Sequence, residues 1–461
     1  MSFPSSFWLV AATCLTGCAS QLAGETASDD ALITGALRAD EQTAGVLGDW
    51  IALSRAGTES GGAQTPATTT PSYVFPQGVY DNGPLIRAPH VRPVVFAGDE
   101  AADTIVASLR SMAKHRYWND SAAEYGIGAL SVGDAIKLSA PAASVTTRNV
   151  GTLVAEALAE RGEAVDENTL YALYYPAQST VHRSSDGAVG CEDFAAFHAS
   201  FSMSKNGATK NYGYAVMPRC GASFSIDEMM ISSSHEIFEW ATDPFPATNK
   251  EGSASYRRLD DAHFAFQLFA GGGELTDVCP GLGSNSEQTR PAGLGFAVAR
   301  HLSNRAAAAG RFPCGPGPAQ PYLVAIPETK ATATFRHGRK FQVPVVELPS
   351  NQNETTTSVF IHSDTALPAS ECWSLDTSVD GVVSETSTSS DARNVYSILD
   401  PANDAGLELS TDSFCVRAGD VVQLKVRRTR NPTRDSRVLL RMHTRHENTW
   451  NSWPFLVSLR K

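Results

Sequence analysis

The sequence has 461 residues, and its 49 acidic against 37 basic side chains give a formal net charge of −12. This acidic balance excludes a protein whose main partner is nucleic acid, because such proteins need a basic surface to neutralise phosphates. A hydrophobic fraction of 42% allows a sizeable core, and the length predicts two or three domains. After the first 20 residues, no apolar run is long enough for a membrane-spanning helix.

The N-terminus has the pattern of an export signal. Its apolar residues 7–15 are too few to span a bilayer and are typical of a signal-peptide core. Leu15-Thr16-Gly17-Cys18 resembles a bacterial lipobox, so we predict a lipoprotein signal peptide over residues 1–17 and a lipid on Cys18. Residues 1–17 contain no Lys or Arg, which leaves a plain secreted chain as the alternative. The predicted location is the bacterial cell envelope, at the outer membrane through this anchor, or the extracellular space.

Composition divides the rest of the chain into three parts. Residues 18–88 are rich in Ala, Thr, Ser and Gly, which predicts a flexible tether. Residues 89–316 alternate strand-like and helical apolar patterns, so we expect one mixed domain, α+β or α/β. Residues 320–461 show short alternating runs, which predict an all-β sandwich. Two histidines of this last part, His443 and His446, are interpreted as surface residues.

Six cysteines follow the signal region, and none forms a C-x-x-C pair. In an exported chain this even number favours disulfides over metal thiolates. Fifteen connectivities are possible for six cysteines. Proximity in the sequence favours the pairs Cys191–Cys220, Cys279–Cys314 and Cys372–Cys415.

Residues 225–242 predict one strong helix. Ser225 and Glu228 form a capping box, and Pro244 ends the helix after Asp243. At about 100° per residue, the apolar side chains gather on one face and His235 and Glu239 point to the opposite face.

His235 and Glu239, spaced i and i+4, match the geometry by which H-E-x-x-H helices hold zinc, with Glu239 in place of the second histidine. Glu236 then stands at the position of the base that activates a metal-bound water. A third ligand must come from elsewhere, and Glu274 is preferred over Asp277 for this role. The alternative is that this helix face is simply solvated.

Other candidate residues are interpreted more simply. Asp243 either ligates the metal or only ends the helix, and the second is favoured. Asp260, Asp261 and His263 are read as a helix start rather than a second cation site. His198 is read as a packed histidine.

Several segments occur in a characteristic order between residues 90 and 315: YW at 117–118, EYGIG at 124–128, LYALYYP at 170–176, CEDFAAFH at 191–198, residues 214–220, SSHEIFEWATDP at 233–244, GELTDVCP at 273–280 and HLSNRAAAAGRFPC at 301–314. This order resembles the Exordium-like (phosphate-induced) family and its bacterial secreted relatives. The resemblance implies a zincin-like domain and metallopeptidase chemistry for the bacterial members. The positions that match the family's motifs are His235, Glu236, Glu239, Asp243, Glu274, Asp277 and Cys279.

Two functions are therefore predicted. The first is a lipid-anchored or secreted zinc-dependent metallopeptidase that acts on a peptide or cell-envelope substrate. The second is a non-catalytic cell-surface binding module with a structural cation. His235 favours zinc as the cation, whereas the many carboxylates also suit calcium. The expected fold is a zincin-like α+β or α/β mixed-sheet domain followed by the all-β sandwich.

Overall fold

This computed structural model describes residues 75–205, 208–220, 223–245, 255–270, 272–284, 286–317, 321–337, 339–368, 370–387, 394–399, 406–432 and 434–461. The predicted signal peptide, Cys18 and residues 18–74 of the predicted tether lie outside the described residues. Residues 75–88, which the sequence assigns to the tether, are part of the folded structure. Phe75 is fully buried, and the strand Gly78–Tyr80 pairs with the strand Tyr256–Leu259.

The helices and strands are numbered in chain order. The helices are α1 Ala102–Lys114, α2 Arg116–Ala122, α3 Val150–Ala159, α4 Ile226–Thr242, α5 Phe264–Phe269, α6 Val278–Leu282 and α7 Asn304–Ala308. The strands as far as residue 315 are β1 Gly78–Tyr80, β2 His90–Phe96, β3 Ser131–Val132, β4 Ile136–Leu138, β5 Ser144–Thr146, β6 Thr169–Tyr175, β7 Thr180–His182, β8 Phe197–Lys205, β9 Ala208–Pro218, β10 Tyr256–Leu259, β11 Gln288–Thr289, β12 Val298–Ala299, β13 His301–Leu302 and β14 Cys314–Gly315. The later strands are β15 Val324–Pro327, β16 Ala331–His337, β17 Arg339–Leu348, β18 Glu354–His362, β19 Trp373–Ser387, β20 Asn394–Leu399, β21 Leu407–Thr411, β22 Cys415–Val416, β23 Val421–Arg428, β24 Ser436–His446 and β25 Thr449–Leu459.

A six-stranded sheet has the order β3-β2-β6-β9-β8, with β4 also paired to β2. Its central strands β2, β6 and β9 are parallel, and β8 returns antiparallel along β9. Strand β6 is buried at every position, as expected for a parallel strand covered on both faces. Its alternate residues pack against α1 and α4 on one face and against α3 on the other.

Helix α4 begins and ends where the sequence predicts. The Ser225 hydroxyl accepts a hydrogen bond from the Glu228 backbone N–H, 3.3 Å away, and the helix ends at Thr242, before Asp243 and Pro244. Trp240 packs directly over the backbone of Gly213 in β9. A Cβ at that glycine would lie 2.1 Å from the Trp240 Nε1 atom, so only glycine allows this approach.

After residue 320 the described elements are all strands. A four-stranded sheet in the order β15-β18-β23-β21 faces a second sheet of seven strands, in the order β16-β17-β25-β24-β19-β20 with β22 paired to β19. Apolar residues of both sheets belong to one core that also contains α1 and α4. Phe264 and Ala265 of α5 pack on the other face of the seven-stranded sheet, against Phe335 and Phe341.

The predicted fold class, a zincin-like domain followed by an all-β sandwich, is wrong. The described structure is mostly strand, with 41% of its residues in strands and 21% in helices, distributed over multiple sheets. The zincin-like fold was predicted from the motif of a single helix, residues 225–242, and from the order of short segments around it. The prediction also did not include the strand Phe197–Lys205, which pairs with β9.

All three predicted disulfides are confirmed: Cys191–Cys220, Cys279–Cys314 and Cys372–Cys415. They are consistent with a secreted or extracellular protein, because such bonds persist in oxidising compartments. Within the described part of the chain, none of the helices combines the length and the apolar character needed to cross a membrane.

Candidate metal centre

The polar face of α4 is buried, which rejects its interpretation as a solvated surface. Glu236 is 5% exposed and Glu239 only 2%. The segments that cover this face are β8 on one side and residues 273–278 on the other. Buried carboxylates need cations or hydrogen-bond donors, since an unpaired buried charge costs several kcal/mol. The surroundings of these side chains therefore define a candidate site.

A first group of ligand atoms joins His235, Glu239 and Asp277. The His235 Nε2 atom lies 3.1 Å from Glu239 Oε1 and 3.2 Å from Asp277 Oδ1. The backbone N–H of Asp277 donates to the same Glu239 oxygen over 3.2 Å. The disulfide at Cys279, two residues farther along, fixes this segment to Cys314. One nitrogen thus faces two carboxylates from different parts of the chain.

A second group joins His198, Glu239 and Glu274, whose ligand atoms lie within 4.8 Å of one another. His198 belongs to β8 and pairs with Ala215 of β9, on the sheet face that packs against α4. Its Nδ1 atom is 3.8 Å from Glu239 Oε2, and its Nε2 atom is 3.8 Å from Glu274 Oε1. Glu239 therefore belongs to both groups, with Oε1 toward His235 and Oε2 toward His198.

Glu236 and Asp243 border these groups without joining either. Glu236 Oε2 lies 3.3 Å from His198 Nδ1. Asp243 places its backbone carbonyl 3.2 Å from His198 Nε2, and its side chain pairs with Arg257 at 3.0 Å. The Asp243 side chain also accepts a hydrogen bond from the Ser255 backbone N–H. Asp243 thus caps the end of α4 and anchors the chain beyond it.

The pKa values of the two histidines reflect this concentration of negative charge. Burial alone would lower the pKa of His198, but its hydrogen bond to Glu236 and the charges of Glu274, Glu236 and Glu239 raise it to about 10. Burial also opposes protonation of His235, yet Glu239 and Asp277 hold its pKa well above the usual value. The protein groups by themselves therefore attract positive charge strongly to this site.

The pKa values of two carboxyl groups at the site are also raised, because burial and neighbouring negative charges disfavour their ionised form. Burial raises the pKa of Glu274 to about 7, and the neighbouring Asp277 adds to the shift. Burial and then the charge of Asp277 raise the pKa of Glu239 well above its usual value. Because like charges crowd in a poorly solvated pocket, a bound cation would stabilise the ionised forms.

The structure brings together every residue that the sequence predicts for the metal site, but in a different grouping. Asp277, the less favoured third ligand, lies against His235 and Glu239. Glu274, the preferred one, lies instead beside His198. His198 was interpreted as a packed histidine, and its position among three carboxylates was missed. The only sequence signal for it was its place in the CEDFAAFH segment, because its partners lie 38 or more residues away.

The Asp260, Asp261 and His263 group lies outside this site. Asp261–His263 forms a 3-10 turn that leads into α5. His263 Nδ1 lies 2.8 Å from Asp260 Oδ1, and Asp260 Oδ2 accepts a hydrogen bond from the Gln77 backbone N–H. These contacts give the group a structural role at the start of the helix.

Comparisons with known proteins add no functional assignment. No protein family matches the sequence, and no curated protein matches it. One solved structure with similarity is the ASH/PapD-like domain of human CEP192, at 14% sequence identity, with 26% of this chain and 77% of that domain covered. Its TM-score is 0.16, which is too low to carry an argument about fold or function.

Proposed function

We propose that this protein is a zinc-dependent hydrolase of the metallopeptidase type, with one cation held by His235 Nε2, Glu239 Oε1 and Asp277 Oδ1. The observation that carries the proposal is the position of His235 Nε2 at 3.1 and 3.2 Å from two carboxylate oxygens. Ligand atoms bound to zinc at about 2.0–2.2 Å in a tetrahedral arrangement lie roughly 3.3 Å apart. His235 Nε2 thus lies from both carboxylate oxygens at the spacing that ligands of one ion have, and all three ligand atoms lie within 4.8 Å of one another.

The exposure of these side chains favours a catalytic over a closed structural site. Glu239 is 3% exposed at its side chain, whereas His235 is 20% and Asp277 is 34% exposed. One side of the group therefore faces solvent. Catalytic zinc sites have three protein ligands and keep a fourth position open for water or substrate, unlike structural sites, which the protein fills.

Glu236 is the proposed base. It neighbours His235 in the chain, and its carboxylate is held by the contact with His198 Nδ1. Two carboxylate ligands would neutralise the charge of a divalent zinc, so the ion would acidify a bound water less than a three-histidine site does. A buried carboxylate able to accept the proton of that water would compensate for this weaker activation.

The proposed location is the bacterial cell envelope, with the chain anchored through a lipid on Cys18 and acting on peptide or cell-envelope material. The lipobox-like residues Leu15 to Cys18 support the anchor. Mass spectrometry of the mature protein from membrane fractions should find Cys18 as the lipidated first residue. An unlipidated mature chain that begins elsewhere would leave secretion without an anchor.

Zinc content and peptide hydrolysis, measured on the same variants, test the proposed function. We expect His235→Ala to lose the zinc held at this site and the activity, whereas Glu236→Gln should keep that zinc and lose roughly 10²-fold or more in turnover of a mixture of synthetic peptides. Glu156→Gln, an exposed glutamate on α3, is the matched control. A protein that binds a cation but hydrolyses no peptide, or a Glu236→Gln variant with unchanged turnover, would support the binding-module alternative.

A further inference from the structure

We propose that His198, Glu239 and Glu274 hold a second divalent cation, and that Glu239 bridges it to the cation at His235 and Asp277. This inference rests on the proposed function for the first cation and extends it to a two-metal centre. The relevant feature is the Glu239 carboxylate, whose two oxygens face different histidines. Oε1 lies 3.1 Å from His235 Nε2, and Oε2 lies 3.8 Å from His198 Nδ1.

A carboxylate in this position can bind one metal with each oxygen. Two-metal hydrolytic sites hold their ions about 3.5–4 Å apart, a separation that a bridging carboxylate spans. Each ion would have a histidine and a further carboxylate of its own, His235 with Asp277 and His198 with Glu274. The two halves of the site are therefore alike in ligand chemistry, and both suit zinc.

The surroundings of His198 point to a cation beside one of its ring nitrogens. Nδ1 faces the carboxylates of Glu236 and Glu239, and Nε2 faces the Asp243 carbonyl and Glu274. In the metal-free protein a protonated ring donates from both nitrogens to these oxygens, whereas a metal ligand is the neutral ring, which keeps a lone pair on one nitrogen. Glu239 faces Nδ1 and Glu274 faces Nε2, so an ion held by all three residues requires the ring or one carboxylate to move toward it. Their ligand atoms lie within 4.8 Å of one another, which keeps that movement small.

Glu274 provides an independent sign of a missing partner. Its Oε1 atom is buried and accepts no hydrogen bond. It lies 3.8 Å from His198 Nε2 and 4.0 Å from Arg257 Nε, both beyond hydrogen-bond distance. A buried carboxylate oxygen without a donor is costly, and ligation of a metal ion would satisfy it.

When its histidines are neutral and its carboxylates ionised, as metal ligands must be, the cluster has the charge that two divalent ions balance. Five carboxylates, those of Glu236, Glu239, Asp243, Glu274 and Asp277, surround the two histidines. Among the cations of the described chain, Arg257 pairs with this cluster. With neutral histidines the group carries a net charge of minus four, which two divalent cations neutralise and one reduces to minus two.

Zinc stoichiometry of the full chain tests this inference, by elemental analysis and by titration of zinc into metal-free protein. We expect the wild type to bind two equivalents of zinc and each of His198→Ala, Glu274→Gln and Asp277→Asn to bind one. Glu239→Gln should bind none, because Glu239 belongs to both sites. His182→Ala, a partly exposed histidine on β7, is the matched control and should retain two. Circular dichroism and thermal unfolding identify any variant that fails to fold, and the milder Glu274→Gln then replaces His198→Ala.

The outcomes separate this inference from the proposed function. Suppose the wild type binds one zinc, which His198→Ala and Glu274→Gln keep and Asp277→Asn loses. This result would overturn the second site and leave the proposed function standing. If the wild type binds one zinc that Asp277→Asn keeps and His198→Ala loses, both the second site and the proposed function are overturned. With manganese in place of zinc, we expect an EPR signal from two spin-coupled ions in the wild type and its loss in His198→Ala. Two bound ions without spin coupling would contradict the bridging role of Glu239.

Discussion

At the scale of single residues, Asp277 contacts both of the α4 residues that we propose as metal ligands. Its side chain meets His235, while its backbone N–H donates to Glu239. One residue thus supplies a proposed ligand and positions another, which is how outer contacts commonly orient metal ligands. Glu274 occupies the matching position on the other side of Glu239.

A histidine far from this site gives the fold a pH dependence. Burial lowers the pKa of His443 on β24 to about 4, with smaller contributions from Arg441 and Arg445. The unfolded chain has a histidine pKa near 6.5 and so binds the extra proton between about pH 6.5 and 4. Stability from the neutral His443 is therefore present above pH 6.5 and is lost as the pH falls toward 4.

We expect His443→Gln to reduce this loss. Its amide can replace the contact between His443 Nε2 and the Ser378 hydroxyl, which are 2.8 Å apart. At about 1.4 kcal/mol per pKa unit, the histidine costs about 2–3 kcal/mol of unfolding free energy between neutral pH and pH 4. Thermal unfolding of both proteins across this range measures the difference, and equal slopes against pH would refute it. This burial also corrects the sequence interpretation of His443 as a surface residue.

At the scale of elements, the packing of α4 against β9 positions the site residues His235, Glu236 and Glu239. Because Trp240 lies against Gly213, we expect Gly213→Ala to displace the helix and lower the free energy of unfolding by about 1–3 kcal/mol. The same displacement should weaken zinc binding at His235 and Glu239, one helical turn apart. Denaturant unfolding and zinc titration check the two effects. Wild-type values for both would show that α4 tolerates the extra methyl group.

The arrangement of site residues within helix α4 could be predicted from the sequence. The contacts of that helix with residues far away in the chain could not. The cap at Ser225 and the i, i+4 spacing of His235 and Glu239 are properties of one helix, so the pattern fixes them. Which of Glu274 and Asp277 meets His235 depends on how a loop packs over α4. The position of His198 depends on the register of β8 with β9, which sequence spacing does not give. Strand β8 itself could have been predicted, because Phe197, Ala199, Phe201 and Met203 alternate with more polar residues.

At the scale of the whole molecule, two disulfides offer a comparison between local and general stability. Cys279–Cys314 holds the segment that carries Asp277, whereas Cys372–Cys415 lies between strands of the seven-stranded sheet. Each closes a loop of similar length, with sequence separations of 35 and 43. Removal of either bond should therefore lower the free energy of unfolding by about 2–4 kcal/mol.

Zinc affinity should distinguish the two bonds. We expect Cys279→Ala with Cys314→Ala to weaken zinc binding about 10–100-fold, the usual effect of losing support around a metal ligand. The double variant Cys372→Ala with Cys415→Ala is the control, and its zinc affinity should stay at the wild-type value. Zinc titration of both folded proteins makes the comparison. Equal losses in the two proteins would mean that the first disulfide has no special role at the site.

The wider fold shows why one motif is not enough to assign an architecture. Helix α4 lies on a sheet whose core continues into the strands beyond residue 320, and the described chain is mostly strand. The side chains around α4, and not a fold class, therefore support the proposed function.

Anomalous diffraction at the zinc absorption edge, from crystals grown with zinc, tests the central claim most directly. We expect a peak within about 2.0–2.2 Å of His235 Nε2, Glu239 Oε1 and Asp277 Oδ1. Zinc bound only elsewhere, with His235 still hydrogen-bonded to Glu239 and Asp277, would contradict the account.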